Sequence, residues 1–195
     1  MRTIITLLLI SQIFLLQGDE WRLDKNKDGI KVFTREVKDF PIREFRVESS
    51  TSAPLAEIES LFRDIPSYES WMPDILEASI IEQVTPDIYI YHMAIGAPFP
   101  VSNRDLVTEM RFSYPTDNIL RIDYSVLPDH IPEKDDHVRM RYFSGHWQFE
   151  RTESDTRITN QFLSDPGGSI PKWVTNSFLS KNPFNTVKNL KEQVE

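Results

Sequence analysis

The chain has 195 residues, enough for one hydrophobic core of ordinary size and too few for two domains of usual size. Its 39% apolar and 27% charged residues exclude a disordered polyelectrolyte. A formal charge of −8 argues against nucleic acid and against general attraction to anionic membranes, and the absence of cysteine removes disulfides and thiol catalysis.

Residues 1–18, MRTIITLLLISQIFLLQG, have one basic residue near the start, an apolar run from Ile4 to Leu16 and a small residue, Gly18, ahead of Asp19 and Glu20. This is the pattern of a secretory signal peptide, and the run is short for a membrane span, which needs about 20 residues. The expected product is therefore a secreted or periplasmic domain over residues 19–195. Its charge becomes −9, because the leader holds Arg2 and no acid, leaving 21 basic against 30 acidic side chains. Such a product has to be stable without disulfides, which a core of ordinary size allows.

After Trp21 a short segment ends in the turn Asn26-Lys27-Asp28-Gly29. Two strands are predicted next, Ile30–Val37 and Ile42–Thr51, as a hairpin. Pro54 opens a helix on which Leu55, Ile58, Leu61, Phe62 and Ile65 share one face. Pro66 stops it, and SYESWMPDI forms a short second turn or helix around Trp71.

From Ile75 the period changes to two. The predicted strands are Leu76–Val84, Ile88–Ile95, Leu106–Tyr114, Ile119–Leu127, Val138–Phe143, His146–Arg151 and Arg157–Ser164, a long antiparallel meander. Both faces of Ile88–Ile95 are largely apolar, which fits a sheet curved around something better than a flat sandwich. A terminal helix is expected from Ile170, with Ile170, Trp173, Val174 and Phe178 on one face and a kink at Asn182-Pro183.

Catalytic patterns are absent. There is no Gly-x-Ser-x-Gly elbow. His130 and His137 flank Glu133, Asp135 and Asp136, but the spacing matches no metal pattern and reads as a solvated acidic loop. His92 and His146 lie in strands with no partner evident in the sequence. The stretch SDPGGSIPKWVTNSFL, Ser164 to Leu179, has neither P-loop nor dinucleotide spacing, and Asp165 would repel a phosphate. It reads as a flexible turn that places a helix over a sheet.

Three blocks resemble one family, the START (steroidogenic acute regulatory protein-related lipid transfer) domains, over nearly all of residues 21–195. They are APFPVSNRDLV (Ala97 to Val107), LPDHIPEKDDHVRM (Leu127 to Met140) and SDPGGSIPKWVTNSFL, in step with Asp28-Gly29-Ile30 and Trp71. The similarity is closest to the phosphatidylcholine transfer protein branch, in a compact form like that of bacterial members. It implies an α+β helix-grip fold, a curved antiparallel sheet wrapped around a long C-terminal helix, with an apolar tunnel for one lipid. It further implies a monomeric carrier or sensor in transient contact with membranes, with no cofactor and no enzymatic activity.

PSYES before Trp71 carries no basic residue where phospholipid-binding members hold a phosphate, so sterols, isoprenoids, fatty acids and neutral lipids stay open. The candidate ligand-lining residues are Trp71, Met93, Met110, Tyr124, Phe162, Trp173 and Phe178, with plain core packing the alternative for each. Arg139 is a candidate to orient a ligand head group or else to form an ion pair, and Arg104-Asp105 to stabilise the loop at the tunnel mouth. Gly167-Gly168 is the expected hinge of a helical gate. The alternative function is a polyketide cyclase or aromatase of the wider superfamily, with His92 and Tyr124 as its acid-base groups.

Overall fold

The computed structural model describes residues 20–38, 40, 42–168, 170 and 181–195. Ten strands form one sheet: β1 (Arg22–Lys27), β2 (Ile30–Arg35), β3 (Glu44–Thr51), β4 (Ile75–Thr85), β5 (Ile88–Ile95), β6 (Asn103–Thr116), β7 (Ile119–Val126), β8 (His137–Arg139), β9 (Tyr142–Arg151) and β10 (Thr156–Asp165). Nine follow the order β1-β2-β3-β10-β9-β7-β6-β5-β4, and β8 pairs with β6 off that path. Among the described residues the helices are α1 (Leu55–Arg63), α2 (Tyr68–Trp71) and α3 (Asn182–Val194), with a 3-10 turn at Ile65–Ser67 between the first two.

Local chemistry accounts for most boundaries. β1 and β2 join through Asp28 and Gly29, both at positive φ (52° and 72°), the two-residue turn whose twist matches a hairpin. β1 itself escapes the sequence pattern because RLDKNK is an almost wholly exposed edge strand with no apolar alternation. α1 buries Ile58 and Phe62 as its periodicity predicts, and Asp64 ends it before Pro66.

Two expectations need correcting. Val138–Phe143 is not one strand: β8 covers only His137–Arg139 and runs parallel to β6, so the sheet is not a pure antiparallel meander. His146–Arg151 is only part of β9, which continues without a break through Gly145 back to Tyr142. Gly145 is a ladder residue because a Cβ there would lie 2.1 Å from Gln161 O and 2.6 Å from Phe162 Cδ1. The glycine admits a ring rather than turning the chain.

The core lies between one face of the sheet and the helices, where Ile58, Phe62, Val187 and Leu190 meet Val47, Leu120, Ile122 and Phe149. Polar contacts fix α3 to the rest: Asn182 Nδ2 donates to Asp74 Oδ2 and Asn189 Nδ2 to Trp71 O, each at 2.7 Å, and Thr51 Oγ1 donates to Glu195 Oε1 at 2.9 Å.

Candidate functional site

Side chains alternate across a strand, so the register assigns the face of each residue. Phe162 stands opposite Gly145, Gly145 opposite Tyr124, Tyr124 opposite Met110 and Met110 opposite Tyr89. Tyr91 and Met93 follow Tyr89 on the same face. Two residues before Phe162 on the same face, Asn160 stands opposite Trp147, and Trp147 opposite Ile122.

This face carries a continuous aromatic cluster. The space above Gly145 lets Phe162 lie 5.3 Å from Tyr124 and 4.9 Å from Phe143, ring centre to ring centre. From the helix side Phe62 reaches Trp147 at 5.2 Å and Trp71 at 5.8 Å, and Tyr68 reaches Trp71 at 5.7 Å and Tyr91 at 6.0 Å. Five of the expected lining residues, Trp71, Met93, Met110, Tyr124 and Phe162, are thus brought together and buried. Trp173 and Phe178 lie outside the described residues.

The phenols of this cluster are neutral. Burial pushes the pKa of Tyr68, Tyr91 and Tyr124 above the ordinary tyrosine value. Tyr68 donates its proton to Phe62 O at 2.5 Å. Nothing here is arranged as a base.

Arg139 is engaged elsewhere. Its Nε lies 3.0 Å from both oxygens of Asp105, and Nη2 lies 2.7 Å from Oδ2. Nη1 donates to the carbonyls of Pro128 and Ile131, and Nη2 donates to that of Pro132. Every N–H of this guanidinium has a protein acceptor, so Arg139 pins the loop 128–136 against β6 and has no donor left for a head group.

Burial alone would raise the Asp105 carboxyl. The Arg139 fork, then His92, whose Nε2 is 3.3 Å from Oδ2, outweigh it and hold Asp105 below its ordinary value. His92 is held below its own ordinary value by burial and by Lys134.

Arg104 and Asp105 do not act as a pair. Neighbours on a strand face opposite ways, so Asp105 joins His92 and Arg139 while Arg104 turns to the other face. There Arg104 Nε and Nη2 donate to Pro166 O and Gly167 O, each at 3.2 Å, and Nη1 donates to Ser102 O. One buried guanidinium therefore fastens the loop before β6 to the Pro-Gly-Gly turn. Gly167 and Gly168 are both left-handed, with φ +65° and +67°.

The same parity separates His92 from Tyr124. They sit on opposite faces of the sheet, and the acid-base pair required by the cyclase reading is not assembled. Among the described residues no group of three or more potential ligands could hold a metal.

Two features were not selected from the sequence. The first is Asn160, whose Oδ1 is buried without a hydrogen-bond partner, as is Nε1 of Trp71, one of the expected lining residues. The signal for Asn160 was present: it interrupts the inward stripe Thr156, Ile158, Asn160, Phe162. The second is Phe99, 95% exposed between the exposed Pro98 and Pro100. Leu76, itself 53% exposed, lies beside this loop, because a Cβ at Gly96 would be 3.3 Å from Leu76 Cδ2.

Comparison with known proteins places this architecture. The START domain family model matches residues 10–195. The chain belongs to the START domain family. A STAR-related lipid transfer protein from Xanthomonas axonopodis superposes on this START domain with a TM-score of 0.83 at 32% identity, covering 90% of this chain and 99% of that one. The phosphatidylcholine transfer protein of Mus musculus is 26% identical over 189 residues, 90% of this chain and 84% of its own length. An aromatase/cyclase from Streptomyces sp. R1128 shares the fold alone, with a TM-score of 0.51 at 11% identity over 77% of this START domain and 90% of that chain.

Proposed function

We propose that this START domain is an exported carrier that holds one lipid or similar hydrophobic molecule against the aromatic face and exchanges it during brief contact with membranes. The observation that carries this reading is the face itself. Trp71, Met93, Met110, Tyr124 and Phe162 converge there, and apolar area of this kind supplies affinity at about 0.8 kcal/mol per buried CH2. Neutral phenols and a histidine on the wrong side of the sheet favour binding over acid-base catalysis.

Membrane contact is assigned to Pro98-Phe99-Pro100. The stretch 96–103 carries no charge in a strongly acidic chain, and an exposed aromatic on an uncharged loop suits an uncharged lipid surface. Arg104 bonds this loop and the Gly167-Gly168 turn together, so displacement of one is felt by the other. The turn then serves as the hinge of a gate. Residues 1–18 act as the export signal, and the carrier works as a monomer.

The test is organic extraction of the protein purified from its native compartment, followed by mass spectrometry. A co-purified lipid, or uptake from a lipid panel, supports the reading; an empty extract together with no uptake refutes it. N-terminal sequencing of the same material reads whether the leader has been removed.

A further inference from the structure

Asn160 is 4% exposed, on a strand where its inward neighbours are Ile158 and Phe162. Its Oδ1 accepts nothing, although buried acceptors are almost always paired. A leucine of similar size would pack there without stranding a polar atom, so the unpaired Oδ1 contributes nothing to the fold. Trp71 Nε1 is a second buried atom without a partner, and it is a donor. The two border one aromatic cluster: Trp147, opposite Asn160, is 5.2 Å from Phe62, and Phe62 is 5.8 Å from Trp71.

We propose that Asn160 is a ligand-recognition residue, and that the ligand is an apolar molecule bearing a neutral hydroxyl that donates to Asn160 Oδ1. This rests on the carrier reading and narrows it to a chemical class. The contact assigned to Oδ1 requires O–H or N–H, which an ionised carboxylate or a phosphodiester cannot supply; their oxygens could accept only from Asn160 Nδ2 or Trp71 Nε1 and would leave Oδ1 unpaired. A hydroxyl also has lone pairs, so the same class of group complements Trp71 Nε1–H.

Among the described residues no arginine is placed beside Asn160. Arg139 is saturated by Asp105 and three carbonyls on the other face, and Arg104, on the aromatic face, sits at the strand end, where it bonds Ser102, Gly167 and Pro166, the last of these six residues along from Asn160. The class is therefore a long-chain or polycyclic alcohol or a partial glyceride, in preference to a phospholipid or a fatty acid.

The experiment measures binding of 1-hexadecanol, hexadecyl methyl ether and hexadecanoate, by displacement of a fluorescent probe, to the wild-type protein and to Asn160→Leu. Loss of one hydrogen bond predicts that the ether binds wild type about 10-fold more weakly than the alcohol, with the carboxylate weaker still. Asn160→Leu is expected to bind alcohol and ether alike and to melt no lower than wild type.

Equal affinity of alcohol and ether for wild type overturns the assignment of Asn160 and leaves the carrier reading standing, as does tighter binding of the carboxylate. An alcohol preference that survives Asn160→Leu also overturns it. No binding by any probe overturns both. The alcohol-to-ether ratio of the wild type decides the matter alone if the variant does not fold.

Discussion

Asp105→Asn is the sharpest test of the charge arrangement behind the sheet. The substitution keeps size and one acceptor but removes the anion facing Arg139, whose side chain is 1% exposed against 0% for Asp105. Breaking a buried ion pair by removing one partner costs about 3–5 kcal/mol, because a buried cation is left uncompensated. For a domain of this size each kcal/mol moves Tm by roughly 2–4 °C, giving a fall of roughly 6–20 °C. Thermal unfolding followed by circular dichroism reads it. The double variant Asp105→Leu/Arg139→Met, with no stranded charge, should recover only part of the loss, because the Arg139 bonds to the carbonyls of Pro128, Ile131 and Pro132 go as well. A single variant within about 1 kcal/mol of wild type would refute the claim that this pair fixes the loop 128–136.

Other outcomes follow from the same geometry. Gly145→Ala places a Cβ 2.1 Å from a backbone oxygen, so a loss of about 3 kcal/mol or more is expected in a denaturant titration. His92 and His146 are both held below the ordinary value by burial, with Lys134 adding to the first and Arg121 to the second. The unfolded chain takes up these protons near pH ~6.5 and the folded chain only at lower pH, so stability falls as pH is lowered through that window. Tm should drop between about pH 7 and pH 5, and His92→Gln should shrink the drop. Phe99→Asp removes an apolar contact worth about 1.5–3 kcal/mol at a lipid surface, so transfer between zwitterionic vesicles should slow by roughly 10- to 100-fold. Binding of ligand in solution should be unchanged by it.

α1, α2, the β2–β3 hairpin and the strands β4 to β7 and β10 were legible because apolar residues recur at the period each element requires, while the terminal helix expected from Ile170 is described only over Asn182–Val194. β1 was not legible, since a polar edge strand has no buried face to leave a mark. Gly145 falls in the gap left between Val138–Phe143 and His146–Arg151, and only the register with Phe162 shows that it continues the strand and makes room for a ring. Arg104 and Asp105, read together as stabilisers of one loop, are sent to opposite faces by strand parity, so Arg104 holds Ser102 and the 166–167 turn while Asp105 holds Arg139. Asn160 was readable as a polar interruption of an apolar stripe, yet its significance rests on a missing hydrogen bond, which only coordinates reveal. At the five buried lining residues, Trp71, Met93, Met110, Tyr124 and Phe162, a bound ligand distinguishes binding from packing.

Native mass spectrometry of the intact protein, after incubation with a mixed neutral-lipid extract and removal of free lipid, separates them most directly. One hydrophobic molecule per chain, displaced in competition by a second of the same class, is the predicted result. A spectrum showing only the mass of the protein would contradict the central claim that the aromatic face is a binding site.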